Sequence, residues 1–182
     1  MTTTSTTPAT AAPPVAAAPA AVIRPYERND EDAVIALWQR TWQTAYPRHD
    51  FAARVAWWRE RWRTELVPMA SVVVAEAVGS DPGGRDGTGA GGVGGAEMLG
   101  FVTIDETGYL DQIVVAPEAW GTPVATALLD EAKRVAPTGI ALHVNKDNYR
   151  AIRFYEKQGF SIGGEDVNPL SQSPVFMMVW RP

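Results

Sequence analysis

The chain has 182 residues, 46% of them apolar, and a formal charge of −5. That length suits one well-buried domain, and the acidic balance gives no global attraction to nucleic acid or to an anionic membrane. With no cysteine and only two histidines, His49 and His143, disulfides, thiolate zinc sites and a cysteine nucleophile are excluded, and a histidine-rich metal site is disfavoured.

The first 20 residues are Thr, Ala and Pro apart from Met1, Ser5 and Val15. They lack the basic start and apolar middle of a secretory leader. We read a disordered tail over residues 1–20, a single folded domain over 21–182, and a cytoplasmic location. No apolar run is long enough to span a bilayer. Residues 22–24 predict a short strand closed by Pro25. Asn29 is placed to cap a helix whose first turn carries Asp30, Glu31 and Asp32, where negative charge suits the helix dipole. Val34, Leu37, Trp38, Thr41, Trp42 and Ala45 follow at helical spacing, and Pro47 ends the run. A second helix is expected over residues 50–66, with Phe51, Val55, Trp58, Trp62 and Leu66 as its buried stripe. Five of the seven tryptophans fall between residues 38 and 62. Large aromatics at this spacing fill a core between helices. Some, such as Trp42 or Trp57, can also line a pocket for a flat or cationic acceptor.

Residues 71–77 (SVVVAEA) read as a β-branched strand and residues 98–105 (MLGFVTID) as its hairpin partner. Between them, residues 79–95 hold nine glycines in 17 positions, a flexible insert. Its GxGxxG matches, starting at Gly87 and Gly89, open no amphipathic helix, and no GK[ST] follows. Neither a dinucleotide loop nor a Walker loop is expected. Gly108 turns the chain into a strand over 109–116. Residues 160–162 and 175–180 form a final antiparallel pair, and the strand at 175–180 offers a sheet edge through which a homodimer can pair. The fold class is α/β (α+β). A mixed, mostly antiparallel central sheet of about six or seven strands carries one parallel crossover and is flanked by about four helices.

Residues 110–160 organise the rest: LDQIVVAPEAWGTPVATALLDEAKRVAPTGIALHVNKDNYRAIRFYEKQGF. Strand, turn, helix and strand in that order fit a parallel crossover with an anion-binding helix N-terminus. Thr122 is placed to cap the helix and Pro123 to open it. Val124, Leu128, Ala132 and Val135 then face the sheet. Free N–H groups at Gly121, Thr122, Val124 and Ala125 make an anion site, and the small Gly121 and Ala125 let a phosphate approach. Asn148 sits near the next helix start, seven residues before Tyr155. That is about two turns, so both share a face. An amide and a phenol there can bind a polar chain and donate a proton, or can serve as cap and core. Gly159 ends this helix.

VVAPEAWGTPVATALL followed by NKDNYRAIRFYEKQGF resembles the GNAT superfamily of acyl-CoA-dependent N-acetyltransferases. The order of elements matches from residue 22 to the C-terminus, apart from the Gly-rich insert. The family's first motif is usually Arg/Gln-x-x-Gly-x-Gly/Ala. Here Trp120 stands for the Arg and Pro123 for the central Gly, which removes one backbone donor.

The resemblance implies an acetyl-CoA cosubstrate, no metal, and transfer to a primary amine on a small molecule or peptide. It also implies that the backbone of Ile113, Val114 and Val115 pairs with pantetheine where two parallel strands splay. Trp120, Gly121, Thr122, Val124, Ala125 and Thr126 would hold the pyrophosphate, and Asn148 the pantetheine or acetyl region. Tyr155 would protonate the departing thiolate, for which an ordinary phenol pKa of about 10 is suited. As the base that frees the amine, Asp111 comes first, Glu76 second and His143 third. Lys146, Arg150 and Arg153 are candidates for the 3′-phosphate. The changes at Trp120 and Pro123 also motivate a second reading, an acyl-CoA-binding or interaction module with little or no catalysis.

Overall fold

The computed structural model describes residues 21–78, 97–169 and 171–182, so the tail and the Gly-rich insert lie outside the described residues. Strands β1 (Ala21–Pro25), β2 (Ala70–Ala77), β3 (Met98–Asp105) and β4 (Leu110–Val115) form one antiparallel sheet in the order β1-β2-β3-β4. Strands β5 (Ile140–Asn145), β6 (Ser161–Val167) and β7 (Pro174–Trp180) form a second, in the order β5-β7-β6. One parallel bridge, Tyr109 with Ala141, joins β4 to β5. There the Ala141 N–H donates to the Gly108 carbonyl at 3.0 Å. Gly108 has φ of 83°, and a Cβ on it would lie 2.5 Å from the Gly139 carbonyl oxygen. Only glycine permits so close a junction. Past this point β4 and β5 form no ladder, and the sheet is split.

The predicted mixed, mostly antiparallel sheet is therefore present, with one correction. Residues 175–180 are not an edge. β7 (PVFMMVW) lies between β5 and β6, which pair with both of its main-chain edges. The edge is β6 (SIGGEDV), whose residues are mostly exposed.

The helices are α1 (Glu31–Ala45), α2 (Val55–Arg61), the single turn α3 (Val67–Met69), α4 (Val124–Val135) and α5 (Tyr149–Lys157). The helix expected over 50–66 is present and runs on without interruption to Met69, but its width changes along its length. A 3₁₀ turn (Ala52–Arg54) precedes α2, and a π turn (Trp62–Leu66) follows it. Pro68 accounts for the wide turn: it has no N–H to give the Thr64 carbonyl, and its ring displaces that carbonyl. The predicted stripe survives, with Phe51, Trp58, Trp62 and Leu66 buried. Trp38 stacks on Trp58 at 4.7 Å, and Trp62 meets Phe101 edge-on at 5.4 Å. These three tryptophans are core. Trp57 is 45% exposed, and Trp42 stacks on Tyr46 and Phe51 at the end of α1.

Asn29 does not cap α1. The helix starts after Asp30, whose carboxylate takes the Glu27 N–H and both Nη atoms of Arg24, each at 2.7 Å. Arg24 also reaches Glu76 on β2, so the first helix is clamped to the sheet through a shared guanidinium. The Arg24 hydrogen bonds hold the Asp30 carboxyl below its ordinary value. A depressed carboxylate contributes stability above its unfolded pKa, about 3.9, and loses it as pH falls through the folded value. Asp30→Asn should lower Tm at pH 7 and then lose less than the wild type on acidification to about pH 3. Parallel Tm-versus-pH curves for the two proteins would rule out this linkage.

Candidate active site

The split between β4 and β5 opens from the Tyr109–Ala141 bridge toward the C-terminal ends of both strands. The Ala116 N–H bonds the Leu99 carbonyl of β3 at 2.8 Å, and Val114 pairs with Phe101. Strand alternation then turns the main-chain groups of Ile113 and Val115 into the split, while those of Val114 face β3. Of the three residues expected to offer backbone, two do so. The Val115 carbonyl accepts the Trp120 indole N–H at 2.8 Å. Near the closed end, Thr103 opposes Gln112 and Ile104 opposes Leu110. Asp111 is therefore a bulge residue, and a bulge bends its strand.

The turn after β4 runs through Pro117–Ala119 to Trp120, and α4 begins at Val124. Thr122 is a poorer cap than expected. Its hydroxyl donates to the Ala119 carbonyl at 2.7 Å and accepts the Val124 N–H only at 3.4 Å, while its own N–H also goes to Ala119. Proline at the next position shifts the helix start by one residue. The N–H groups of Gly121, Ala125 and Thr126 bond no described residue, and the Thr126 hydroxyl accepts from Gln158. Val124, Leu128, Leu129 and Ala132 form the buried face of α4, whereas Val135 is exposed.

Asn148 caps α5, its Oδ1 accepting the Ala151 N–H at 3.2 Å. Its amide Nδ2 has no protein partner among the described residues. Gly159 ends α5 at φ of 88°, and the Phe160 N–H closes the turn on the Tyr155 carbonyl at 3.0 Å. Tyr155, two turns after Asn148, is 6% exposed and packs between Phe154 and Phe160. Its hydroxyl bonds no described residue. Burial pushes this phenol well above its ordinary value. The ordinary phenol pKa expected from sequence therefore does not hold, and burial makes this hydroxyl a weaker acid than a free tyrosine.

A cavity of about 300 Å³ lies where the turn and the α5 start meet, lined in part by Tyr46, Trp120, Asp147, Asn148 and Arg150. The Arg150 guanidinium sits 3.3 Å above the centre of the Trp120 ring. It occupies the first turn of α5, where the helix dipole disfavours a cation. Burial lowers its pKa, and no carboxylate among the described residues pairs with it. Lys146 pairs instead with Glu165 and covers Phe176. Across the mouth, the Tyr46 hydroxyl donates to Asp147 at 3.0 Å and accepts from Asn145 at 3.1 Å.

The candidate bases differ in how free they are. Both Asp111 oxygens are held by Arg61, at 3.0 and 2.6 Å, and Gln112 adds a third contact. Glu76 is held by Arg24. His143 lies on the open face of β5, with Nδ1 3.1 Å from the Tyr109 hydroxyl. Tyr109, Tyr46 and Arg61 were not singled out in sequence. A clue existed for Tyr109, which directly precedes the strand holding Asp111. Among the described residues, no group of three or more His, Asp or Glu could hold a metal, and no helix is long and apolar enough to cross a membrane.

The family model described as "Acetyltransferase (GNAT) family" matches residues 31–160, which span α1 to the end of α5 and both split strands. The chain belongs to the GNAT acetyltransferase family. This GNAT chain is 34% identical over 84 residues to the peptidyl-lysine N-acetyltransferase YiaC of Escherichia coli K12, covering 46% of this chain and 57% of that protein. It is 33% identical over 69 residues to the peptidyl-lysine N-acetyltransferase YjaB of Salmonella typhimurium, covering 37% and 46%. The matches thus span about half the length of these relatives. Solved structures with the GNAT fold include two examples. One is the PaiA N-acetyltransferase of Thermoplasma acidophilum in complex with coenzyme A (TM-score 0.67, 16% identity, 90% of this chain and 99% of that one). The other is apo YjaB from Escherichia coli (TM-score 0.64, 22% identity, 88% and 97%).

Proposed function

We propose that this GNAT protein moves an acetyl group from acetyl-CoA directly to a primary amine, with a peptide lysine side chain as the acceptor class. The observation that carries the reading is the split between β4 and β5. At its open end lie unbonded N–H groups and an unpaired Arg150, and on α5 lies a buried phenol whose hydroxyl bonds no described residue. In this reading pantetheine lies along Ile113 and Val115, displacing the Trp120 indole from the Val115 carbonyl. The pyrophosphate meets the turn from Trp120 to Thr126, and the Asn148 amide donates to the pantetheine. Tyr155 protonates the departing thiolate. Asp111 and Arg61 hold the bulge in place. The lysine acceptor is supported by the names of the two curated relatives.

Calorimetric titration with acetyl-CoA, followed by thiol release with the peptide Ac-Ala-Lys-Ala-amide, tests the proposal. Micromolar binding, about −8 kcal/mol, and lysine acetylation are expected. Binding without transfer would favour the non-catalytic module, and no binding would overturn both readings. Arg150→Ala should weaken acetyl-CoA binding roughly tenfold to a hundredfold, the worth of a charge-assisted hydrogen bond. The Tm of the free protein should hold or rise, because a cation leaves a helix N-terminus. Unchanged affinity would place Arg150 outside the site.

A further inference from the structure

We infer that His143 is the group that takes the proton from the acceptor amine, with Tyr109 as the residue that positions it. The inference rests on the acetyl-transfer reading and adds the base that this reading lacks.

Three observations carry it. First, β5 alternates: Ile140, Leu142 and Val144 are buried, which turns Ala141, His143 and Asn145 to the other face. Ala141 makes the bridge from which the split opens, so His143 lies two residues along the split on that face. Second, the Tyr109 hydroxyl reaches His143 Nδ1 at 3.1 Å across the junction of the two strands. This contact fixes the ring and leaves Nε2 toward solvent, where Asp166 Oδ2 lies at 3.7 Å. Third, the competing carboxylates are occupied. Asp111 is tied to Arg61 and Glu76 to Arg24 by two hydrogen bonds each. Taking a proton on either would break an ion pair. His143 carries no such cost, and its side chain is 33% exposed, so it can pass the proton on to water.

The contact allows either tautomer, and in the one with Nδ1–H donating to the Tyr109 oxygen the Nε2 lone pair is free to act. It takes one proton from the ammonium. The freed nitrogen lone pair attacks the thioester carbonyl carbon, and the C–N bond forms. Collapse of the adduct breaks the C–S bond, and the sulfur electron pair takes the Tyr155 proton. The nitrogen's second proton restores the phenol, and the imidazolium proton goes to solvent. One proton is released per transfer, as the overall reaction requires. The charged groups on the His143 side are Asp166 and the Asp111–Arg61 pair beside Tyr109, while the Lys146–Glu165 pair lies over Phe176 on the opposite face of the sheet. Opposite it on β7 is the uncharged Met177.

The test uses the full chain, acetyl-CoA and Ac-Ala-Lys-Ala-amide, with kcat/KM measured from pH 6 to pH 10. An enzyme without its base depends on amine that is already neutral, whose fraction rises toward the lysine pKa of about 10.4. His143→Gln should therefore lose roughly a hundredfold at pH 7 and only a few-fold at pH 10. Its acetyl-CoA affinity and Tm should stay at wild-type values. Tyr109→Phe should show a smaller loss with the same pH trend. A His143→Gln profile parallel to wild type overturns the inference. So does a pH-selective loss in Asp111→Asn with none in His143→Gln. If the wild type neither binds acetyl-CoA nor acetylates the peptide, the acetyl-transfer reading itself falls. If the wild type transfers and His143→Gln matches it, only the base assignment falls.

Discussion

Tyr155→Phe should lower kcat by about a hundredfold to ten-thousandfold, the usual worth of a positioned general acid. Affinity for acetyl-CoA should stay within about a factor of two. The substitution removes one oxygen and leaves the ring between Phe154 and Phe160. That oxygen bonds no described residue, so its loss breaks no protein hydrogen bond, and Tm should hold or rise. Burial raises the pKa of the phenol, so its proton transfer to sulfur has to be matched by return of the second amine proton, and the variant loses that exchange. Single-turnover kinetics with calorimetry separate the two quantities. Unchanged turnover would leave Tyr155 as a core residue only.

Trp62→Ala should cost about 3–5 kcal/mol, the range for emptying a large aromatic site. Trp62 is fully buried. It meets both Tyr26 and Phe101 edge-on at 5.4 Å, and its indole N–H donates to the Tyr26 hydroxyl at 3.2 Å. Truncation leaves a cavity under β3 and strips Tyr26 of its partner. For a domain of this size, about 2–4 °C of Tm is lost per kcal/mol, so a drop of roughly 10 °C is expected. Trp57→Ala, at an exposed site, should change Tm by little. Equal losses in the two variants, read by circular dichroism, would contradict the assignment of Trp62 to the core.

Elements whose cause is local were legible in sequence. β2 and β3 follow from β-branched runs, α1 from its apolar period, and the end of α5 from Gly159. The errors share a different cause. Asn29 loses the cap because Asp30 is claimed by Arg24, which is itself held by Glu76, 52 residues away. The helix expected over 50–66 widens because Pro68 lies just beyond the window read. β7 reads as an edge in sequence because strand order is not a local property. The Asp111–Arg61 and Tyr109–His143 contacts join residues 50 and 34 apart. Spacing along the chain shows no such partners, and it ranks Asp111 ahead of His143 because Asp111 lies on the strand leading into the expected thioester site.

The single bridge between β4 and β5 has a mechanical consequence. Two half-sheets that share one backbone junction can hinge about it, and nothing in the main-chain ladder resists their parting at the open end. A ligand lying along Ile113 and Val115 would work as a keystone, supplying the strand the sheet lacks. Amide protons of β4 and β5 that face the gap should exchange quickly in the empty protein and slowly with acetyl-CoA bound. Those of Val114, already paired with β3, should change little. The cosubstrate would then be a structural part of the molecule as well as a reactant.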